Sequence, residues 1–143
     1  MLHVKEEAMS VTITLDDTAP IESTNFMKPL GIIIDNKLSF TAHVKSVAVK
    51  AGRLVGVIMR LRNLIPEKVK LQLYKSTILP HLTYCSVVWH FIKASDRRKL
   101  ERIQEKAFRV IYRDTASSYE KLLIAAGLPT LLNRRLQDSN FNV

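Results

Sequence analysis

Cys85 is the only thiol in the sequence. A single cysteine excludes an internal disulfide and a thiolate cluster for zinc, and its default role is that of a small buried hydrophobe. Histidine is almost as thin: His3, His43, His81 and His90 are too scattered to form a metal site, and no cofactor is predicted. No apolar run approaches the ~18 residues of a membrane span. Glu6 and Glu7 stand where a secretory signal would need its apolar core. These absences predict a soluble, intracellular chain, with nothing to separate cytoplasm from nucleus. Glycine and proline are scarce, at 4 and 5 residues, while 47% of the chain is hydrophobic, a balance that favours a packed core over wholesale disorder. Internal repeats and low-complexity tracts are lacking too, so the 143 residues make one domain, or a small domain with an appendage.

Acidic residues are the remaining deficit. The chain has 13 Asp and Glu against 22 Lys and Arg, a net charge of +9. Such an excess points to a polyanionic partner, nucleic acid first and acidic membrane second.

The stretch from Leu30 to Leu61 organises the rest. Leu30-Gly31-Ile32-Ile33-Ile34-Asp35 is a β-branched run without helical period, bounded by Gly31 and the turn pair Asp35-Asn36, which predicts a buried strand. Beyond it the period changes. Val44, Val47, Ala48, Ala51, Leu54, Val55, Ile58 and Leu61 follow the i, i+3, i+4, i+7 spacing of a long amphipathic helix. The chain reads as strand before this switch and as helix after it. The fold class that follows is α+β, mainly α: a short antiparallel hairpin and strand, then a bundle of five to six helices.

In the N-terminal part, residues 1–9 show no clear period. Val11, Ile13 and Leu15 alternate with Thr12 and Thr14 as a half-buried strand, and Ile21 to Thr24 can pair back after a turn at Asp16-Asp17-Thr18-Ala19-Pro20. Adjacent aspartates after an apolar strand are what two-metal polymerases use, because two carboxylates can bridge a pair of Mg²⁺ ions. Such a pair needs a third carboxylate on a neighbouring strand, and only Glu6 and Glu7 lie upstream, so Asp16-Asp17 is read as a turn.

The first helix starts near Thr41, with Thr41 or Ser39 as its cap, and extends to about Asn63. Lys45, Lys50, Arg53 and Arg60 fall on its side away from the apolar stripe, and Gly52 and Gly56 permit close approach of another element. Pro66 opens a second helix carrying Val69, Leu73, Thr77 and Ile78, which stops or kinks at Pro80. His81 to Ile92 is apolar almost all round and reads as a buried central helix. The predicted core joins Trp89, Tyr84, Leu54, Ile58, Leu73, Leu100 and Ile103. Ser95 or Asp96 caps the next helix, Arg97 to Arg113, whose two faces separate well. Leu100, Ile103, Ala107, Val110 and Ile111 form its apolar stripe. Arg98, Arg102, Lys106, Arg109 and Arg113 form a cationic stripe within about 80° of arc. Glu101 and Glu105 flank the stripe and can pair with Arg97 and Arg109. The stripe is either a solvated helix face or a phosphate-contacting one; five cations with no carboxylate among them favour the second. Ser118 caps a short helix to Ala126, ended by Gly127. Thr130 caps a last one with Leu131, Leu132 and Leu136 inward and Arg134-Arg135 partly outward.

An ordered series of short motifs over residues 11–137 resembles a known family. It comprises Met27-Lys28-Pro29-Leu30-Gly31-Ile32-Ile33-Ile34-Asp35, Leu38-Ser39-Phe40, His43-Val44, Lys50-Ala51, Leu54-Val55 and Leu73-Tyr74-Lys75-Ser76. It continues through Ile78-Leu79-Pro80-His81-Leu82-Thr83-Tyr84-Cys85-Ser86, Val88-Trp89, Leu100-Glu101-Arg102-Ile103-Gln104, Lys106-Ala107, Arg109, Leu128-Pro129-Thr130-Leu131 and Arg134-Arg135. In order and spacing this is similar to the end of the palm and the thumb of non-LTR (LINE-type) retrotransposon reverse transcriptases. Pro29, Val87 and Asn133 depart from the family pattern, which has an aromatic, a proline two residues before its Trp, and a Glu at these places.

The resemblance implies that Leu30 and Gly31 are primer-grip-like. It implies a palm remnant over residues 1–36 and a helical thumb with its connection over 37–143. The family's catalytic Tyr-x-Asp-Asp lies upstream of the grip, so the expectation is a truncated copy that is not an enzyme by itself. The expected partner is RNA or RNA–DNA duplex, held by its backbone through Arg98, Arg102, Lys106, Arg109 and Arg113, with Lys45, Lys50, Arg53 and Arg60 as a second wall. No membrane and no small-molecule substrate is expected. Two alternatives stay open: one piece of a working RNA-directed DNA polymerase, or a vestigial helical interaction module.

Overall fold

A computed structural model describes residues 3–7, 10–14, 21–22, 25–84 and 92–140. The fold is α+β and mainly α. The chain forms two compact units, residues 1–38 and 39–143.

The first unit is β structure. Strand β1 (His3–Glu7) pairs antiparallel with β2 (Ser10–Thr14), His3 opposite Thr14 and Glu7 opposite Ser10. Strand β3 (Ile21–Glu22) joins the other edge of β2, with Ile13 opposite Ile21. The alternation of Val11 and Ile13 predicts β2, and Ile21 its return. Strand β1 carries no apolar period and takes its order from backbone bonds to β2. Asp16 and Asp17 lie outside the described residues.

The run that opens at Leu30 is not one long strand. Strand β5 is only Ile34–Asp35, paired antiparallel with β4 (Phe26–Met27), Phe26 opposite Asp35. Between them Pro29–Gly31 makes a 3₁₀ turn in which Leu30 has φ 51° and Gly31 φ 84°. Proline fixes φ and offers no N–H, and glycine takes positive φ without steric cost, so turn chemistry overrides the β-branched composition that follows.

The second unit is the helical bundle. Helix α1 (Thr41–Leu61) has 21 residues and is about 32 Å long. Its predicted stripe is the inward one: Val44, Val47, Ala51, Val55 and Ile58 are buried, and Ala48, Leu54 and Leu61 half-buried. Thr41 donates its N–H to Ser39 Oγ at 3.4 Å, so Ser39 covers one orphan donor of the first turn.

Helix α2 (Glu67–Leu73) leaves α geometry just before Pro80, where the sequence predicts a stop or kink. A π turn, Tyr74–Ile78, follows it and leads into α3 (Leu79–Thr83), which contains Pro80. A proline ring clashes with the carbonyl four residues before it and lacks the N–H that carbonyl expects. The widened turn, closed by the Leu79 N–H bonding to Tyr74 O, accommodates both effects, and the Ser76 and Thr77 hydroxyls bond to Leu73 O at 3.2 and 2.6 Å. The buried row is then Lys70, Tyr74, Ile78 and Leu82, one step round from the predicted Val69–Leu73–Thr77 face. Lys70 is only 3% exposed and carries its Nζ to Arg62 O at 3.5 Å, burying its stem while its tip meets a carbonyl. The predicted central helix to Ile92 is described only as far as α3, ending at Thr83. Tyr84 leaves helical geometry (ψ 125°) and is 51% exposed, which corrects its placement in the core. Cys85 and Trp89 lie outside the described residues.

Helix α4 (Ala94–Tyr112) begins at Ala94, ahead of the predicted Arg97, and Asp96 sits buried in its first turn instead of capping it. It packs against α1, and the bonds between like ends of the two helices show that they run parallel. At their N-terminal ends Thr41 donates its hydroxyl to Asp96 Oδ2 at 3.2 Å. At their C-terminal ends Arg113 donates to Arg62 O at 2.6 Å and to Asn63 Oδ1 at 2.8 Å. Of the predicted core, Ile58 and Leu100 are buried and Leu54, Leu73 and Ile103 half-buried. Its centre is Tyr74, Phe108, Ile111 and Gln104. The Tyr74 and Phe108 rings meet edge to face, centroids 5.0 Å apart. Tyr74 OH donates to Gln104 Oε1 at 2.9 Å, and Gln104 Nε2 donates to Pro129 O at 3.4 Å.

Helices α5 (Tyr119–Ala126) and α6 (Leu131–Asn140) close the bundle. Gly127 at φ 65° is the predicted left-handed stop of α5. Ser118 stands at the cap position of α5 without a side-chain cap bond, whereas Thr130 Oγ1 accepts the Asn133 N–H at 3.1 Å as a cap should. In α6 the inward set is Leu131 and Arg135. Leu132 and Leu136, predicted inward, are exposed, and Arg135, predicted partly outward, is 3% exposed. Burial pulls the Arg135 pKa down, and the Glu101 carboxylate opposes that shift.

Phe108→Ala removes the ring at the meeting of α2, α4 and the core. It is expected to lower unfolding free energy by about 3–5 kcal/mol in urea titration. A loss below about 1 kcal/mol would mean that Phe108 is not a core residue.

Candidate nucleic-acid interface

Helix α4 offers its outer face because its inner one is fully used. Leu100, Gln104, Ala107, Phe108 and Ile111 point into the bundle, which puts Arg98, Arg102 and Lys106 on the exposed side. These three cations make no hydrogen bond or ion pair among the described residues, so the predicted row is solvent-facing over its first half.

The second half differs. Arg109 bonds to Glu105 Oε1 through Nε at 3.0 Å and Nη2 at 2.6 Å, and its Nη1 donates to Ser117 O at 3.2 Å. Arg113 is held by Arg62 O and Asn63 Oδ1. Both guanidinium groups are therefore fixed in position. Glu105 pairs with Arg109 as its spacing predicts. Glu101 does not pair with Arg97. It accepts the Tyr119 hydroxyl on Oε2 at 2.7 Å and the Leu132 N–H on Oε1 at 3.1 Å, while Arg97 Nε donates to Ile92 O at 3.2 Å. Burial, and then this bond to Glu101, raise the Tyr119 pKa, so the phenol stays a donor at any physiological pH.

Lys106, Arg109 and Arg113 line one cleft of about 350 Å³, together with Arg62, Asn63, Val110 and Thr115. Arg62 is a cation that the helical wheel of α1 misses. At 100° per residue it projects onto the apolar side, but α1 ends at Leu61, and past that point the wheel no longer applies. The signal available in the sequence was the paired Arg60-Leu61-Arg62 just before Pro66. On α1, Lys45, Lys50 and Arg53 line a separate groove of about 390 Å³ with Ala42, Ser46 and Val49. Arg60 is exposed but lines neither cleft. The two predicted walls thus line different clefts. Leu30 and Gly31 lie in the β4–β5 turn, with Leu30 85% exposed.

Among the described residues no group of three or more His, Cys, Asp or Glu side chains could hold a metal ion, and no described helix is long and apolar enough to cross a membrane.

The chain is similar to a polymerase. Over 98 residues it is 26% identical to a probable RNA-directed DNA polymerase from transposon X-element of Drosophila melanogaster. That stretch covers 66% of this chain and 11% of the polymerase, so the chain spans about a tenth of that relative's length. No family model matches the chain, and no solved structure does.

The loop that holds Arg109 is itself organised by one carboxylate. Asp114 Oδ1 accepts the N–H groups of Ala116 and Ser117, both at 2.9 Å. Bonds from Ser117, side chain first, hold the Asp114 carboxyl below its ordinary value near 3.8. A carboxyl with a lower pKa folded than unfolded supplies stability above the unfolded value and loses it as pH falls through the folded one. Asp114→Asn is therefore expected to be less stable than the parent at neutral pH and to show a shallower decline in acid, read by denaturant titrations across the acid range. Parallel acid limbs in the two proteins would rule the loop carboxylate out as a source of acid sensitivity.

Proposed function

We propose that the helical unit is a thumb-like module of reverse-transcriptase type, which holds RNA or RNA–DNA duplex by its sugar–phosphate backbone and has no catalytic centre of its own. The observation that carries this reading is the exposed half of the α4 row. Arg98, Arg102 and Lys106 stand four residues apart, without an ion pair among the described residues, on a chain similar to an RNA-directed DNA polymerase. Cations one turn apart repeat about every 5–6 Å, close to the spacing of phosphates along a strand, so several phosphates can be met without bending the helix. Backbone contacts of this kind position a duplex without reading its sequence, as a polymerase accessory surface requires.

A second reading makes this chain one part of a working RNA-directed DNA polymerase, with the catalytic carboxylates on a portion that the 11% coverage of the relative leaves out. The two readings share the surface and differ in chemistry. On the first reading Asp16-Asp17 is a turn, and a chain without paired carboxylates to hold metal ions cannot activate the primer 3′-hydroxyl. The full chain given Mg²⁺, template–primer and nucleotides is expected to give no extension. Extension abolished by Asp16→Asn with Asp17→Asn would assign that pair to catalysis and overturn its reading as a turn.

Binding is tested on the free cations. Replacing Arg98, Arg102 and Lys106 by Gln preserves helix propensity and removes no hydrogen bond or ion pair among the described residues, so the variant should be as helical and as stable as the parent. Affinity for duplex should fall, and the slope of log affinity against log salt should flatten by about two to three. A folded triple variant that binds duplex with unchanged affinity and slope would reduce the row to a solvated face.

A further inference from the structure

The cleft between the C-terminal ends of α1 and α4 has a property that the open row lacks: its cations converge. Arg62, Lys106, Arg109 and Arg113 all line it, and Asn63 and Thr115 add polar groups at its rim. Helix C-termini attract cations by themselves, so the first question is whether dipoles account for the cluster. Each helix end carries about half a negative charge, and two ends together about one. Glu105, bonded to Arg109, adds one more. Dipoles and carboxylate together thus offset about half of the four cations. The rest faces a concave space, where potential is focused instead of dissipated into solvent.

The hydrogen bonds lead to the same place. Arg113 donates from Nη2 alone, and Arg109 keeps part of its five-donor fork unused after Glu105 and Ser117 are served. Arg62 and Lys106 have no side-chain bond among the described residues. Arg113 also occupies the left-handed cap position at φ 53°, which is strained for a side-chain-bearing residue where glycine would cost little. Fixed guanidinium groups with spare N–H donors, flanked by two cations without side-chain bonds, suit a tetrahedral oxyanion better than a planar carboxylate, since a phosphate presents oxygens on several sides at once.

We propose that this cleft seats one phosphate group of a nucleic-acid strand, with Arg109 and Arg113 as the fixed donors and Arg62 and Lys106 closing over it. The proposal rests on the reading of α4 as a backbone-contacting face, and it adds a discrete anchoring point to that face. The phosphate can be a strand-end monoester or an internal diester. The two share their chemistry and separate by experiment.

In the first measurement, the full chain is titrated with inorganic phosphate while the arginine Nε–H signals are followed by NMR. Saturable shifts are expected at Arg109 and Arg113, lost in Arg62→Gln/Lys106→Gln and kept in Arg98→Gln/Arg102→Gln, which alters the same row outside the cleft. No shifts, or shifts that survive the cleft variant, overturn the seat. In the second, duplexes identical except for a 5′-phosphate or 5′-hydroxyl end are compared. A preference of about fivefold or more for the phosphorylated end, abolished by the cleft variant, identifies a strand-end seat. Equal binding of both, weakened about threefold or more by the cleft variant with a salt slope smaller by about one to two, identifies an internal one. Duplex binding that the cleft variant leaves unmoved while Arg98→Gln/Arg102→Gln weakens it refutes the seat and keeps the α4 face. Absence of duplex binding by the unmodified chain refutes both.

Discussion

The bundle depends on the side chain of Gln104. It is buried on α4, and it takes the Tyr74 hydroxyl from the π turn on one side and gives an N–H to Pro129 O on the other. An amide buried without partners costs on the order of 1–3 kcal/mol per unmet group, so its position is stable only when the α2–α3 helix and the α5–α6 connection are both in register. Phe108, one turn along, packs its ring against the same tyrosine. Apolar contacts alone would let α2 rotate about its axis. The Tyr74–Gln104 bond does not, and it fixes Lys70, Tyr74, Ile78 and Leu82 as the inward row.

That constraint also explains what the sequence conceals. Hydrophobic periodicity finds α1 and the apolar half of α4, because there the buried positions are apolar ones, and Gly127 and Thr130 mark helix ends by local chemistry alone. Periodicity fails where burial and polarity part company. Lys70 counts as polar and pushes the inferred face of α2 toward Val69, although a long stem can lie inside while its tip reaches a carbonyl. Gln104 and Arg135 are buried for the same kind of reason, each satisfying or balancing groups on other elements that no local window contains. Leu30 fails in the other direction, since a β-branched run cannot overrule Pro29 and Gly31 at a turn. In the candidate site, Arg98, Arg102 and Lys106 were legible as an exposed row. The gathering of Arg62 with Arg113 was not, because it depends on α1 and α4 running parallel.

The parallel arrangement of α1 and α4 has an electrostatic consequence. Parallel neighbours place like ends of their dipoles together, which is unfavourable unless each end is compensated. At the N-terminal ends buried Asp96 accepts from Thr41 and from Lys99, whose Nζ lies 2.9 Å away. At the C-terminal ends Arg113 meets the last carbonyl region of α1 directly. The pairing of these two helices therefore selects acid at one end and base at the other, and part of the charge pattern serves the fold before it serves any ligand.

The remainder of that pattern follows from where the acids of α4 are used. Asp96 is turned inward, Glu101 holds Tyr119 and the first turn of α6, and Glu105 is bound to Arg109. Asp96 and Glu105 are ion-paired with Lys99 and Arg109, and Glu101, though still charged, gives its oxygens to Tyr119 and Leu132. A helix stabilised only for solubility gains a few tenths of a kcal/mol from each alternating i, i+4 pair on its exposed face. Helix α4 forgoes that gain along Arg98, Arg102 and Lys106, where like charges one turn apart are instead mildly repulsive. Glutamine at the same positions is expected to keep the helix, so helix propensity alone does not call for the row. An opposite charge laid along the row would relieve that repulsion, which is the electrostatic basis of the proposed backbone binding.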